Sequence, residues 1–137
     1  MNALLTRLTL ALALGVVTGS NSAGTAGAQK TPPLRPSYDQ CLDQTQGVTV
    51  AINNCIGSEY DFQDQRLNSA YKALRQSLSE DQRRALRDQE RVWIADRDKA
   101  CAAPPDSGTA AMLSTNECRL NRTALRAAEL EAQLIHP

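Results

Sequence analysis

The chain has 137 residues, with 15 Lys plus Arg balanced by 15 Asp plus Glu. That length allows one domain, and the charge balance removes the electrostatic term that drives wholesale binding to nucleic acid or to an anionic membrane surface. Hydrophobic residues reach 42% while aromatics are only 4%, an alanine- and leucine-rich usage that fits a helical domain and argues against a β-sandwich.

Residues 1–28 read as a cleaved secretory signal. Arg7 supplies a short positive region, Leu8 to Val17 form an apolar run too short to span a bilayer, and Ala26-Gly27-Ala28 has the small-x-small pattern of a signal-peptidase site. No cysteine follows the apolar run closely enough to carry a lipid anchor, so no membrane attachment is expected after cleavage. Residues 29–36 hold three prolines and little apolar periodicity, which predicts a flexible lead. The domain is expected over residues 37–135.

Within that domain, Ser37 with Gln40 makes a capping-box pattern for a short helix carrying Tyr38, Cys41 and Leu42, and Gly47 can end it in the left-handed conformation. Thr49 is the expected cap of a second helix. Ile52, Ile56, Tyr60, Gln63, Leu67, Tyr71, Leu74 and Leu78 follow three- and four-residue steps along one face of it, and only Gln63 breaks the apolar stripe. Ser79 with Gln82 is a second capping box and opens a third helix, whose mixed face carries Leu86, Glu90, Trp93, Ile94, Arg97 and Cys101. Pro104-Pro105-Asp106-Ser107-Gly108 is a strong turn signal, predicting a loop to about Leu113. Ser114 with Glu117 is the expected cap of a fourth helix, with Leu120, Thr123, Ala127, Leu130 and Leu134 on one face and Arg119, Arg122, Glu129 and Glu131 mostly outside. The fold class is therefore all-α, a small bundle of one short and three longer helices.

Cys41, Cys55, Cys101 and Cys118 are an even set in a short exported chain, which predicts two disulfides. Three pairings are possible. Cys41 with Cys55 and Cys101 with Cys118 is the expected one, because each bridge closes a short loop between successive helices and could stabilise the fold by about 3 kcal/mol. A zinc site is disfavoured: no two cysteines have knuckle spacing, and the lone histidine, His136, is the penultimate residue.

Enzymatic chemistry finds little support. There is no internal histidine, the cysteines are expected to be oxidised, and the carboxylate pairs Asp61/Asp64 and Asp96/Asp98 fit solvated helix edges better than a catalytic dyad. A Cys-x-x-Cys-His haem motif is absent, and Met112 and His136, in a predicted loop and at a chain end, make poor axial ligands. No cofactor and no metal are expected. Trp93 and Arg97 lie one turn apart, as do Ile94 and Asp98. Such a pair can form a binding hot spot, but the expected reading is a core tryptophan with Arg97 stacked on it or paired with Asp64, Asp98 or a carboxylate of another helix.

Cys55 through Glu59-Tyr60, then Asp64, Leu67-Asn68, Tyr71 and Leu74, are followed by Leu86, Gln89, Trp93-Ile94, Arg97-Asp98 and Cys101, and finally by Cys118, Thr123, Arg126 and Leu130. This series resembles the LprI-type lysozyme-inhibitor N-terminal domain over nearly all of the mature chain. Its most specific part is Gln89-x-x-x-Trp93-Ile94-x-x-Arg97-Asp98-x-x-Cys101; Gln63 is a departure, since the family pattern often has alanine before Asp64. The resemblance implies a small, exported, periplasmic or secreted helical domain and a structural polar and aromatic network of Asp64, Asn68, Tyr71, Trp93, Arg97, Asp98 and Arg126. It implies binding rather than catalysis, with a lysozyme-like muramidase as protein partner. The loop Pro104, Pro105, Asp106, Ser107 and Gly108 is the expected contact, because a flanking disulfide would pre-organise it. The alternative is a cell-envelope interaction or structural protein with another partner, contacted through a helix face around Asp61 to Arg66 or Arg83 to Arg91.

Overall fold

A computed structural model describes residues 30–135; the signal sequence expected at 1–28 and His136 lie outside the described residues. Four helices follow one another: α1 (Pro36–Asp43), α2 (Thr49–Ser77), α3 (Glu80–Ala100) and α4 (Thr109–Ile135). The expected all-α class, with one short helix and three long ones, is what the chain forms, and no strand occurs among the described residues. Both expected bridges are present, Cys41–Cys55 between α1 and α2 and Cys101–Cys118 between the end of α3 and α4.

The helix boundaries show which local signals prevail. Ser79 caps α3 as expected: its hydroxyl accepts from the Gln82 N–H at 3.4 Å, and the Gln82 side chain accepts from the Ser79 N–H at 2.9 Å. The other three expected caps are corrected. α1 begins one residue before Ser37, with Arg35 in the capping position and Pro36 in the first turn, where a residue without an N–H leaves no donor orphaned. Thr49 lies inside α2, and Val48 stands before it without a side-chain cap. α4 begins at Thr109, so the residues up to Leu113 are helical instead of loop, and the Ser114 hydroxyl donates to the Ala110 carbonyl at 3.2 Å. The turn is already complete at Gly108, and Ala110-Ala111-Met112-Leu113 are strong helix formers that nothing holds back. Gly47 does adopt the left-handed conformation, at φ 78°, but it follows Gln46 at φ 50° in a turn beyond the end of α1.

Long-range pairings set the topology. Asn116 Nδ2 donates to Asn53 Oδ1 at 2.7 Å across 63 residues, and Arg66 Nε donates to Glu131 Oε1 at 2.9 Å across 65. A nearly constant separation means that α2 and α4 run parallel, with α3 as the returning crossover. Leu120, Thr123, Ala124, Ala127 and Leu130 are fully buried on α4, and the small residues among them let the two helices approach closely.

Two apolar clusters flank a polar layer. Tyr38, Cys55, Ile56 and Leu120 form one cluster, with Leu34, Leu42, Ile52 and Tyr60 against it. Leu67, Ala70, Leu74, Leu86, Ala127 and Leu130 form the other, with Tyr71, Leu78 and Trp93 against it. Between them along α2 lie Glu59 and Gln63, both buried. Gln63 Nε2 donates to Glu59 Oε1 at 2.7 Å and to the Pro33 carbonyl at 3.1 Å, while Gln63 Oε1 accepts from Arg66 at 2.6 Å. Glu59 also accepts from the Arg35 backbone N–H at 3.0 Å and from Arg35 Nε at 2.7 Å. The stretch expected as a flexible lead is thus tied to α2 at Pro33, Leu34 and Arg35.

α3 is the least embedded helix. Leu86 and Glu90 are its buried residues, Trp93 and Arg97 are half-buried, and Val92 and Ile94 are 62% and 44% exposed. Ile94 therefore does not share the inward face on which the sequence pattern placed it. Glu90 is neutralised by Arg126 of α4, whose Nε donates to Glu90 Oε1 at 3.0 Å and whose Nη1 donates to Glu129 at 3.1 Å. Burial pulls the Arg126 pKa down, but the hydrogen bonds it donates to Glu90 and Glu129 outweigh it and raise the value above the ordinary one.

Two outcomes follow from this packing. Leu130→Ala, at a fully buried site, should cost about 3 kcal/mol, whereas half-buried Trp93→Ala should cost about 2 kcal/mol; urea midpoints of the two variants rank them. Burial, reinforced by the charges of Glu117, Asp39 and Glu59, raises the Tyr38 pKa above 10.0. The folded state then holds the phenol neutral where the unfolded state ionises it. Its contribution is complete below about pH 10 and is lost as pH rises through the folded value. Stability measured from about pH 8 to pH 11 should fall more steeply for the native protein than for Tyr38→Phe.

Candidate functional site

Because α2 and α4 are parallel, their N-termini and the C-terminal end of α3 meet at one end of the bundle. The Cys101–Cys118 bridge, with Cα atoms 5.6 Å apart, ties the C-cap residue of α3 to the third turn of α4. It thereby closes the exposed segment Ala102–Gly108 into a short loop. The loop is braced internally. The Ser107 N–H and hydroxyl both donate to the Pro104 carbonyl, at 3.3 and 2.6 Å, and Asp106 takes a left-handed φ of 61°. The same end of the bundle carries exposed apolar side chains, Met112 from the first turn of α4 and Val48 and Val50 at the start of α2. This end combines a covalently restrained, proline-bearing projection with apolar surface, a combination suited to docking on another protein.

A second feature opens on the side of the bundle, directly below that end. It is a cleft of about 370 Å³ between α2, the last turn of α3 and α4. Ile56 forms its apolar floor and Tyr60 one wall. Arg97 is fixed on three sides: Nε donates to Asp98 Oδ1 at 3.0 Å with Nη2 in ion-pair contact 2.9 Å from the same oxygen, Nη1 donates to the Tyr60 hydroxyl at 3.3 Å, and the guanidinium lies 5.1 Å from the Trp93 ring centre. Arg119 approaches the same Asp98 oxygen, but at 3.6 Å its buried Nε has no hydrogen-bond partner. Asn53 and Asn116, joined by their side-chain amides, complete the rim. Gly57 leaves a gap in the wall: a Cβ there would meet nothing within 4 Å. Glycine inside a helix costs about 0.5–1 kcal/mol relative to alanine, and at this position no close packing accounts for it.

The polar and aromatic residues singled out in the sequence separate into distinct groups. Trp93, Arg97 and Asp98 are joined, with Tyr60 and Arg119 as further members. Asp64 and Asn68 instead pair with each other along α2, at 2.7 Å on the surface. Tyr71 packs against the lower core with Arg75 over its ring, and Arg126 serves Glu90 and Glu129. Sequence reasoning gave no role to Asn53, Gly57 and Asn116 at the cleft or to Arg35 in the polar layer; it set Arg119 on the outer face of α4, quoted Glu59 only within the family series and named Arg66 only at the edge of an alternative contact face. Gln63 on the apolar stripe and a glycine in mid-helix were the available signals. Among the described residues no group of three or more His, Cys, Asp or Glu side chains could hold a metal, no cysteine is free, and no helix is long and apolar enough to cross a membrane.

A family model described as Lysozyme inhibitor LprI matches residues 41–130, from the first bridged cysteine to Leu130 in the core. Comparison with curated proteins and with solved structures finds no match. The matched span takes in both disulfides, all of α2 and α3, and the loop end with its side cleft, and the chain belongs to the lysozyme inhibitor LprI family.

Proposed function

We propose that this chain is exported and inhibits a lysozyme-like muramidase by stoichiometric binding. The observation that carries this reading is the family match over residues 41–130. The loop Ala102–Gly108, with Pro104, Pro105, Asp106, Ser107 and Gly108 at its tip, is the part that enters the enzyme's cleft. It projects from the end of the bundle, is braced by its own hydrogen bonds and is closed by a disulfide, so little ordering entropy remains to be lost on binding. Seated there, it keeps the glycan chain away from the two catalytic carboxylates that cleave it. Met112, Val48 and Val50 supply apolar contact around the projection. With 15 cationic and 15 anionic side chains, the protein gains little long-range attraction to a basic enzyme, so affinity rests on the fit at the contact.

A second reading takes the partner to be another envelope protein. One observation favours it: Val92 and Ile94 lie exposed on α3, away from the loop end. That face would then carry the contact, and the loop would be dispensable.

The two readings separate in one experiment. The oxidised protein lacking residues 1–28 should slow the clearing of a peptidoglycan suspension by a chicken-type lysozyme, with inhibition saturating at one inhibitor per enzyme. Deleting Ala103 to Ser107 while keeping Cys101 and Cys118 should weaken inhibition at least about tenfold with the helical circular-dichroism signal intact, since surface loops tolerate shortening. Absence of binding to several lysozyme types at micromolar concentration would overturn the inhibitor reading.

A further inference from the structure

We propose that the side cleft between α2, the end of α3 and α4 is a binding site for a small organic carboxylate that also carries hydroxyl or amide groups. The proposal concerns a different surface from the loop and does not rest on muramidase inhibition.

The charge count within the cleft identifies the anionic group. Two guanidiniums, Arg97 and Arg119, face one carboxylate, Asp98. Arg97 is already engaged by its hydrogen bond and ion pair to Asp98, by its donor to Tyr60 and by its place on the Trp93 ring. Arg119 has only the remote edge of Asp98, and its Nε is buried with no acceptor. A guanidinium in this position lacks an oxygen acceptor in the fork geometry that a carboxylate fits. Asp98, held by Arg97, orients the pair without cancelling it.

The remaining lining sets what the carboxylate is attached to. Asn116 donates to Asn53, which leaves the Asn53 amide N–H groups and the Asn116 carbonyl oxygen for a ligand. Adjacent donor and acceptor of this kind match a hydroxyl pair or an amide. The Tyr60 hydroxyl accepts from Arg97 and keeps its own proton to donate. Ile56 provides an apolar floor, and the volume of about 370 Å³ has room for a single substituted pyranose or an acylated amino acid. Gly57 is the feature that packing leaves unexplained, because a Cβ there would meet nothing within 4 Å and a longer side chain would extend into the cleft.

Titration calorimetry with N-acetylmuramic acid, which joins a carboxylate, an acetamido group and hydroxyls on one pyranose, tests the assignment. The oxidised protein should bind one molecule, and N-acetylglucosamine, the same frame without the carboxylate, should bind at least about tenfold more weakly. Arg119→Gln should reduce the first affinity to the level of the second. Gly57→Leu should abolish binding of both with the melting temperature unchanged or raised, since leucine favours the helix and its Cβ enters open space. Should Gly57→Leu lower the melting temperature, Arg119→Gln alone decides. No detectable binding at millimolar sugar, equal affinity for the two sugars, or native affinity in Arg119→Gln would overturn the proposal.

Discussion

A parallel pair of helices has no short turn to hold it together, and in this protein the pairing of α2 with α4 is the contact from which everything else is hung. The two must be connected by a chain that travels back the full length of the bundle, and α3 is that chain. Register must be fixed by side chains. Asn53 with Asn116 near one end and Arg66 with Glu131 near the other do so, while Ala70, Ala124 and Ala127 keep the helix surfaces close enough for Leu120 and Leu130 to be fully buried. Because α3 serves mainly as a connection, it is anchored at few points: Leu86 and Trp93 in the core, Glu90 on Arg126, Arg97 on Tyr60. The second disulfide then fastens its far end to α4, so that the crossover is held where packing alone is thin.

The polar layer at Glu59 and Gln63 is an expensive way to fill the middle of a helical bundle. Burying a carboxylate carries a desolvation penalty of several kcal/mol, which a partner of good geometry offsets without producing a large net gain. Here the partners come from outside the core: Arg35 from the segment before α1 and Arg66 from the next turn of α2. The return is positional. Arg35, in reaching Glu59, brings Leu34 onto the apolar cluster around Ile56, and the short helix α1 is then clamped between this ion pair and the Cys41–Cys55 bridge. Without the layer, a helix of eight residues would have only Tyr38, Leu42 and its disulfide to keep it in place.

Much of this was legible in the residues and the rest was hidden for physical reasons. Helical periodicity placed α2 almost to the residue, since its stripe from Ile52 to Leu78 is buried over most of its length, and the Ser79 capping box was decisive because both of its side chains find their partners. The caps proposed at Ser37, Thr49 and Ser114 failed for a common reason: a serine or threonine marks a helix start only if the residues before it cannot extend the helix. Pro36 and the stretch from Thr109 to Leu113 extend theirs, and at Thr49 Val48 takes the capping position. Ile94 was misplaced because a face shared with Trp93 at the next position cannot point inward for both on a helix with one buried stripe. Gln63 was noticed as a break in the pattern, but its meaning depends on Arg35 and Pro33, which lie far away in the chain and carry no local signature. The cleft was invisible for the same reason: Asn53, Gly57, Tyr60, Arg97, Asn116 and Arg119 come from three helices and converge only when α2 and α4 are in parallel register.

The frame thus presents two surfaces from one end, a disulfide-closed projection flanked by apolar side chains and a cationic cleft beneath it. Hydrogen exchange of the oxidised protein, alone and mixed with a chicken-type lysozyme, probes both the frame and the surface it presents. The slowest amides should lie in the facing parts of α2 and α4 in both samples, with α3 opening more readily, and added protection on mixing should be confined to residues 102–113 and 48–50. New protection centred on Val92 and Ile94 of α3, or exchange from α3 slower than from α2 and α4, would contradict this picture.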